Sequence, residues 1–108
     1  MDEQQLIERV ADALLLRRGI NWTPEAGFYE QMKQAAAGAL ALLRGHAGDS
    51  TLSLESPEDF DLAVTCAWYL AENRRAEFLR EYGPDLIALR IREVLKSGSG
   101  ENTDVSRR

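Results

Sequence analysis

The apolar residues of the chain recur at spacings of three and four positions, the period of an α-helix that buries one face. In residues 2–18 the pattern opens with acidic side chains and closes on Arg17 and Arg18, an order that suits the helix dipole. Gly19 follows where a left-handed residue commonly ends a helix. The pattern therefore predicts a first amphipathic helix over residues 2–18.

A second helix is predicted to begin at Pro24 with Thr23 as its N-cap, because proline suits the first helical position. Its apolar stripe runs until Gly45 and Gly48 interrupt it. In the middle lies a run of small residues around Gly38, where a glycine costs about 1 kcal/mol relative to alanine. Such a seam admits a close neighbour, which is either another helix of the same fold or another subunit.

Turn-forming residues dominate positions 46–56, where Leu52 and Leu54 are spaced by two. This spacing predicts a loop with an optional short strand. A third helix is predicted from Pro57, with Ser56 as its N-cap. It is apolar around most of its circumference, which indicates burial on two sides.

Polar residues at 72–75 interrupt the third apolar stripe before it resumes as far as Tyr82. Gly83 is the expected C-cap of this helix. Pro84 is the expected start of a last helix, whose apolar pattern ends near Lys96.

The whole pattern predicts an all-α fold in which residues 1–96 form a single domain, a compact bundle of about four helices. Residues 97–108 contain no large apolar side chain except Val105, so they cannot offset the entropy lost on ordering, and we expect a disordered C-terminal tail. The residues expected in the core are Leu6, Val10, Leu14, Trp22, Phe28, Met32, Leu40, Phe60, Val64, Trp68, Phe78 and Leu86.

Composition places the chain among ordinary globular domains, with 108 residues, 44% of them apolar and 29% charged. Its uncharged runs are much shorter than the roughly 20 apolar residues that span a bilayer, and Asp2 and Glu3 stand where a secretory signal would carry positive charge. The single cysteine, Cys66, cannot form an internal disulfide, which suits a reducing compartment. We expect a cytoplasmic protein with no membrane partner.

Candidate catalytic side chains are few. His46 lies among glycines at a predicted helix end, and Cys66 lies on a helix predicted to be buried, so a surface or capping role and a core role are expected for them. Glu58, Asp59 and Asp61 cluster at the start of the third helix, but the helix N-terminus accounts for them and the spacing is not that of a calcium loop. We predict no catalytic residue, no cofactor and no metal site.

The net charge of −5 disfavours a protein whose main task is to neutralise phosphates, so specific nucleic-acid binding is not expected. The Asn73-Arg74-Arg75 patch is nevertheless polar within an apolar segment, and guanidinium groups make forked contacts with carboxylates. The patch is either a solvated, salt-bridged helix face or an interface contact. The candidate interface residues are Asn73, Arg74, Arg75, Glu77 and, in the small-residue seam, Gly38.

Three ordered motifs resemble the small head–tail connector proteins of tailed bacteriophages and prophages, also called adaptor or head-completion proteins. They are I-N-W at residues 20–22, W-Y-x-x-x-N-R-x-x-E-F at residues 68–78, and Y-x-x-x-L-x-x-L-R at residues 82–90. The resemblance extends over residues 6–95. The chain departs from the family pattern in the loop, where residues 51–55 are more polar than in that family.

The resemblance implies a non-enzymatic structural protein of virion assembly. Such a subunit forms a homo-oligomeric ring through heterologous contacts and joins the portal protein to the next neck or head-completion protein. It implies a location in the host cytoplasm during assembly and afterwards in the virion neck. The long last helix and the tail are then candidates for the portal contact.

A different class of function fits the same residues less specifically. A small helical regulator or adaptor could bind nucleic acid or a host protein through the Arg74-Arg75 face. Such a protein would show steeply salt-dependent binding to DNA.

Overall fold

The structure, a computed structural model, describes residues 2–20 and 22–105, with side chains through Lys96. Within these residues the chain is all-helical and has no strand, so the predicted all-α class is confirmed. The predicted count of about four helices is wrong, since five are present. They are α1 (Glu3–Arg17), α2 (Ala26–Ala47), α3 (Pro57–Ala71), α4 (Arg75–Glu81) and α5 (Gly83–Val105).

The fifth helix arises because the predicted third helix is divided at Asn73. Asn73 has φ +59°, a left-handed conformation that asparagine tolerates better than most residues. Its amide donates to the carbonyl of Leu70 at 3.0 Å, and the amide of Arg74 donates to the carbonyl of Tyr69 at 2.8 Å. These two bonds form a Schellman motif, which ends α3 and lets α4 start in a new direction.

The start and end of α1 agree with the sequence pattern. The Asp2 carboxylate accepts a hydrogen bond from the backbone amide of Gln5, and the Gln5 side chain accepts one from the Asp2 amide, which completes a capping box. Gly19 has φ +83°, and the amide of Ile20 donates to the carbonyl of Leu15 at 2.9 Å. The predicted left-handed residue at Gly19 is therefore confirmed.

The start of α2 differs from the prediction. The N-cap is Glu25, whose backbone is extended with ψ 149°, and no side chain caps the first amides. The predicted cap at Thr23 and first helical residue at Pro24 are wrong, because the chain does not turn into the helix until Ala26. The helix ends as expected near its glycines, with Gly48 in the left-handed region at φ +76°.

The loop between α2 and α3 contains no strand. Leu52 and Leu54 are both buried in the hydrophobic core, and Leu54 has φ +57°. The guanidinium Nε of Arg44 donates to the carbonyl of Leu52 at 2.8 Å. The alternating leucines thus anchor the loop on the helices, which is why they do not form the optional strand.

The core lies around α2, which packs against α1, α3 and α5, while α4 contacts α3 and α5. Trp22 is 64% exposed, so its assignment to the core is wrong. Phe28, Phe60 and Trp68 are only partly buried, and they pack on the edge of the core. The other residues expected in the core are buried, namely Leu6, Val10, Leu14, Met32, Leu40, Val64, Phe78 and Leu86.

The small-residue seam of α2 faces α3. A Cβ atom added at Gly38 would lie 3.3 Å from Cδ1 of Leu70, which is closer than an ordinary van der Waals contact. The seam therefore serves the packing of two helices of the same chain, the first of the two alternatives that the sequence left open.

The last helix differs from its predicted bounds. Tyr82 is the C-cap of α4 and Gly83 is the first residue of α5, so the expected C-cap at Gly83 is wrong. The backbone of α5 continues to Val105, where the sequence predicts a disordered tail from residue 97. Residues 106–108 of that predicted tail lie outside the described part of the chain.

Candidate functional site

The Arg74 side chain lies at the junction of α3 and α4 and is held by two carboxylates. Its Nη1 atom is 2.9 Å from Oε1 of Glu72, and its Nε donates to Oε1 of Glu77 at 3.1 Å while Nη2 contacts Oε2. The guanidinium carbon is 4.6 Å from the centre of the Tyr69 ring. The hydrogen bonds from Arg74 hold the pKa of Glu72 and that of Glu77 below the usual range.

Trp68 extends this network to α1. Its indole Nε1 donates to Oε2 of Glu72 at 3.0 Å, and the guanidinium of Arg18 lies 5.3 Å from the ring centre, a cation–π distance. Nη1 of Arg18 is 3.7 Å from the same Glu72 oxygen. Glu72 therefore connects the end of α1 with the α3–α4 junction.

An aromatic cluster completes the junction. The Phe78 and Tyr82 rings stack with centres 5.0 Å apart, and the Tyr69 ring meets Phe78 edge-on at 5.7 Å. The Tyr69 hydroxyl donates to the Glu81 carboxylate at 2.7 Å, and this bond raises the pKa of Tyr69 to about 12. Four residues of the second motif, Tyr69, Arg74, Glu77 and Phe78, are thus linked by contacts within the same chain.

These contacts decide what the sequence-predicted interface residues do in the monomer. Asn73 ends α3, Arg74 and Glu77 are paired with each other, and Gly38 packs on α3. Arg75 is exposed. The structure thus provides the salt-bridged face that was one of the two alternatives, and an interface role for these residues stays a prediction.

Two of the acids at the start of α3 form ion pairs with different arginines. Asp59 is buried and lies 3.0 Å from Nη2 of Arg92 on α5, whereas Asp61 lies 2.5 Å from Nη2 of Arg17 on α1. Within the described residues no three His, Cys, Asp or Glu side chains are placed to hold a metal ion.

The two residues considered for catalysis lie in unremarkable surroundings. His46 is exposed in the last turn of α2, and Cys66 is fully buried in the core. Burial raises the pKa of the Cys66 thiol to about 12, so at neutral pH it is not a thiolate nucleophile.

An apolar groove that the sequence pattern does not predict lies between α1 and the start of α2. Its volume is about 770 Å³. Leu16 and Trp22, which line it, are both more than 60% exposed. The groove, called the Trp22 groove below, is lined mainly by Leu15, Leu16, Ile20, Trp22, Pro24 and Tyr29.

Acidic side chains surround Tyr29 at this groove. The Tyr29 hydroxyl donates to Oδ1 of Asp12 at 2.9 Å. Burial and this hydrogen bond raise the pKa of Tyr29 to about 12, and the charges of Asp12, Glu8 and Glu30 act in the same direction. Lys33 partly balances this charge through its ion pair with Glu30 at 2.8 Å.

A second exposed apolar surface runs along α5. Ile87, Ile91, Val94 and Leu95 are each more than half exposed, and their spacing places them on one face of the helix. We call this surface the α5 stripe. The opposite face of the helix carries buried Leu86 and Leu89. The sequence signal for the α5 stripe was the presence of apolar residues on two faces of this helix, because a small bundle buries only one face of an outer helix.

The Trp22 groove and the α5 stripe belong to different parts of the bundle. Within the described residues α1 and α5 do not touch, and α2 lies between them. Tyr29 lines the groove near the start of α2, whereas Arg90 of α5 lies beside Gly48 at its end. At about 1.5 Å per residue, these two points of α2 are about 28 Å apart.

Within the described residues the chain is an all-α protein with two exposed apolar surfaces, the Trp22 groove and the α5 stripe. Comparison with known proteins gives no match to a family model, to a curated protein or to a solved structure. Among the described helices, none has the length and apolar character needed to cross a membrane.

Proposed function

We propose that the protein is a non-enzymatic structural subunit of a tailed bacteriophage or prophage. It is a head–tail connector that forms a homo-oligomeric ring and joins the portal protein to the next neck or tail protein. It acts in the host cytoplasm during assembly and remains in the virion neck. The assignment to this family is supported by the three ordered motifs at residues 20–22, 68–78 and 82–90.

Ring formation is supported by two exposed apolar surfaces in different parts of the bundle, one between α1 and the start of α2 and the other on α5. Large exposed apolar patches mark protein–protein contact sites in water. A ring subunit needs two different surfaces, because each copy contacts one neighbour on each side. The Trp22 groove and the α5 stripe meet this requirement.

A further contact is needed for the portal and for the next neck protein. The end of α5 extends past Lys96 to Val105, beyond the α5 stripe. We assign the portal contact to this end of the helix and to the residues that follow it.

The alternative of a nucleic-acid-binding regulator is less well supported, because Arg74, one of the two arginines of the Arg74-Arg75 face, is already paired with carboxylates. Arg74 contacts both Glu72 and Glu77, and its guanidinium lies on the Tyr69 ring. We expect no retardation of DNA by the protein at low salt. Retardation that weakens steeply with salt would favour the regulator.

Two measurements test the connector proposal. Light scattering over a wide concentration range should detect a discrete closed oligomer, and electron micrographs of that species should show rings. Mass spectrometry of tailed particles released from the source cells should detect the chain in stoichiometric amount with the portal. A monomer that is also absent from such particles would refute the proposal.

A further inference from the structure

We infer that the Trp22 groove binds the α5 stripe of a second copy of this chain. The inference rests on the proposed ring-forming function and names the contact that builds the ring. Its occupant is a helix face, and its receptor is a groove formed by α1 and the start of α2.

The shapes of the two surfaces match a helix-in-groove contact. In this mode an amphipathic helix inserts side chains of one apolar face, which recur at i, i+3, i+4, i+7 and i+8, into an apolar groove. Ile87, Ile91 and Leu95 follow that spacing on the exposed face of α5. The groove offers the Trp22 and Leu16 side chains as its exposed apolar wall.

The charges beside the two surfaces are opposite. Asp12 lines the groove and Glu8 lies close enough to act on Tyr29 there. Arg90 stands between Ile87 and Val94 on the helix surface, where it borders the α5 stripe. Arg90 is exposed, and its guanidinium lies beside Gly48 at the surface, from where it can reach an acidic neighbour on another copy.

The geometry of one copy directs the contact to another copy. Within the described residues α1, which forms one side of the groove, does not touch α5. Tyr29 in the groove and Gly48, beside Arg90 of α5, lie near opposite ends of α2, about 28 Å apart. The stripe therefore cannot fill the groove of its own chain. Because each copy supplies one groove and one stripe, repeated pairing produces a ring when the rotation closes.

The first test uses Trp22→Asp, which places a charge in the Trp22 groove, and Ile91→Asp, which places a charge on the α5 stripe. Both side chains are exposed, so neither change should unfold the monomer, and thermal unfolding checks this. Each variant alone should lose the oligomer and remain monomeric in light scattering. An equimolar mixture should form a 1:1 dimer, because the intact stripe of Trp22→Asp meets the intact groove of Ile91→Asp.

A second test detects a weak contact and does not depend on the aspartate variants folding. Trp22→Cys and Ile91→Cys proteins are mixed and treated with a short bismaleimide, while the native Cys66 is buried. A crosslink between positions 22 and 91 is expected. Ala76→Cys, exposed on α4, is the matched control and should give no crosslink with either partner.

The outcomes separate this inference from the proposed function. If both aspartate variants keep the wild-type oligomer, the groove-to-stripe contact is refuted and the ring stands. If the wild-type chain is monomeric and positions 22 and 91 do not crosslink, the contact is refuted, and detection of the chain in tailed particles decides the proposed function. If Trp22→Asp alone oligomerises, the stripe pairs with itself and the inference fails.

Discussion

The carboxylate of Asp59 accepts a hydrogen bond from Nη2 of Arg92 at 3.0 Å, which ties the first turn of α3 to the middle of α5. Asp59 is only 8% exposed, whereas the Arg92 side chain reaches solvent. The sequence pattern explained Asp59 only as an acid at a helix N-terminus, whereas the structure shows that it also pairs with Arg92. The contribution of this pair to stability can be separated from that helix-end effect.

Asp59→Ala should lower the free energy of unfolding by about 1 to 2 kcal/mol, because it removes a charged hydrogen bond while Arg92 remains hydrated. Asp61→Ala is the matched control, since Asp61 lies on the same turn but pairs with Arg17 at the surface. It should cost less than about 0.5 kcal/mol. Urea denaturation of both variants measures the difference, and equal losses would contradict a special role of the Asp59 pair.

The two tryptophans should respond differently to truncation. Trp68→Ala should cost about 2 to 3 kcal/mol, because the indole packs on the core, faces Arg18 and binds Glu72. Trp22→Ala should cost less than about 0.5 kcal/mol, because the side chain is exposed. Chemical denaturation of the two variants under monomeric conditions makes the comparison. A large loss for Trp22→Ala would place its side chain in the core after all.

Asn73→Gly should leave stability within about 0.5 kcal/mol of wild type, because glycine adopts the left-handed backbone without strain. Asn73→Val should destabilise by about 1 to 2 kcal/mol, because a β-branched side chain crowds that conformation. Thermal unfolding of the pair provides the readout. If both variants are equally unstable, the asparagine side chain matters more than its backbone.

Gly38→Ala should raise stability by about 0.5 kcal/mol. The gain in helix propensity is about 1 kcal/mol, and part of it is lost because the new Cβ meets Cδ1 of Leu70 at 3.3 Å. Gly45→Ala is the control on the same helix, where nothing lies within 4 Å of the added atom, and it should gain the full amount. Melting temperatures rank the two variants. Loss of oligomer in Gly38→Ala, with the monomer intact, would instead place the seam at a subunit contact.

Tyr29 should ionise only near pH 12, because burial and its bond to Asp12 disfavour the phenolate. A group with a raised folded-state pKa stabilises the fold below the pKa of the unfolded chain, about 10 for tyrosine. That contribution is lost as pH rises from about 10 to 12. Asp12→Asn should lower the Tyr29 pKa, which ultraviolet titration against Tyr29→Phe can follow. An unchanged titration curve would mean that Asp12 does not bind the hydroxyl.

The helical pattern was the most predictable part of the protein. Acids before α1, glycine after it and the Ser56-Pro57 pair before α3 are local signals, and the structure places helix ends at each of them. The start of α2 was predicted too early. Thr23-Pro24 has the local pattern of a helix start, but in the packed bundle the chain stays extended through Glu25. The polar residues around Asn73 were visible in the sequence as an interruption of the apolar stripe. That the helix ends there depends on the left-handed backbone of Asn73.

The candidate site was less predictable. Residues of the Asn73-Arg74-Arg75 patch stood out by their polarity, yet the structure uses Arg74 to bind Glu72 and Glu77 within the chain. The exposed surfaces consist of ordinary apolar residues such as Trp22 and Ile91, which are the residue types that also fill cores. Composition and spacing do not distinguish an apolar side chain that is buried from one that is left at the surface.

The sequence by itself determined the all-α class and most helix ends, because apolar period, caps and glycine conformations act over a few neighbouring residues. The tertiary structure alone decided which apolar face of α5 enters the core, how Asp59 reaches Arg92 and where Trp22 is exposed. These outcomes depend on contacts between residues far apart in the chain. A small bundle has room in its core for only some of its apolar side chains, so the packing of the five described helices decides which of those side chains stay at the surface.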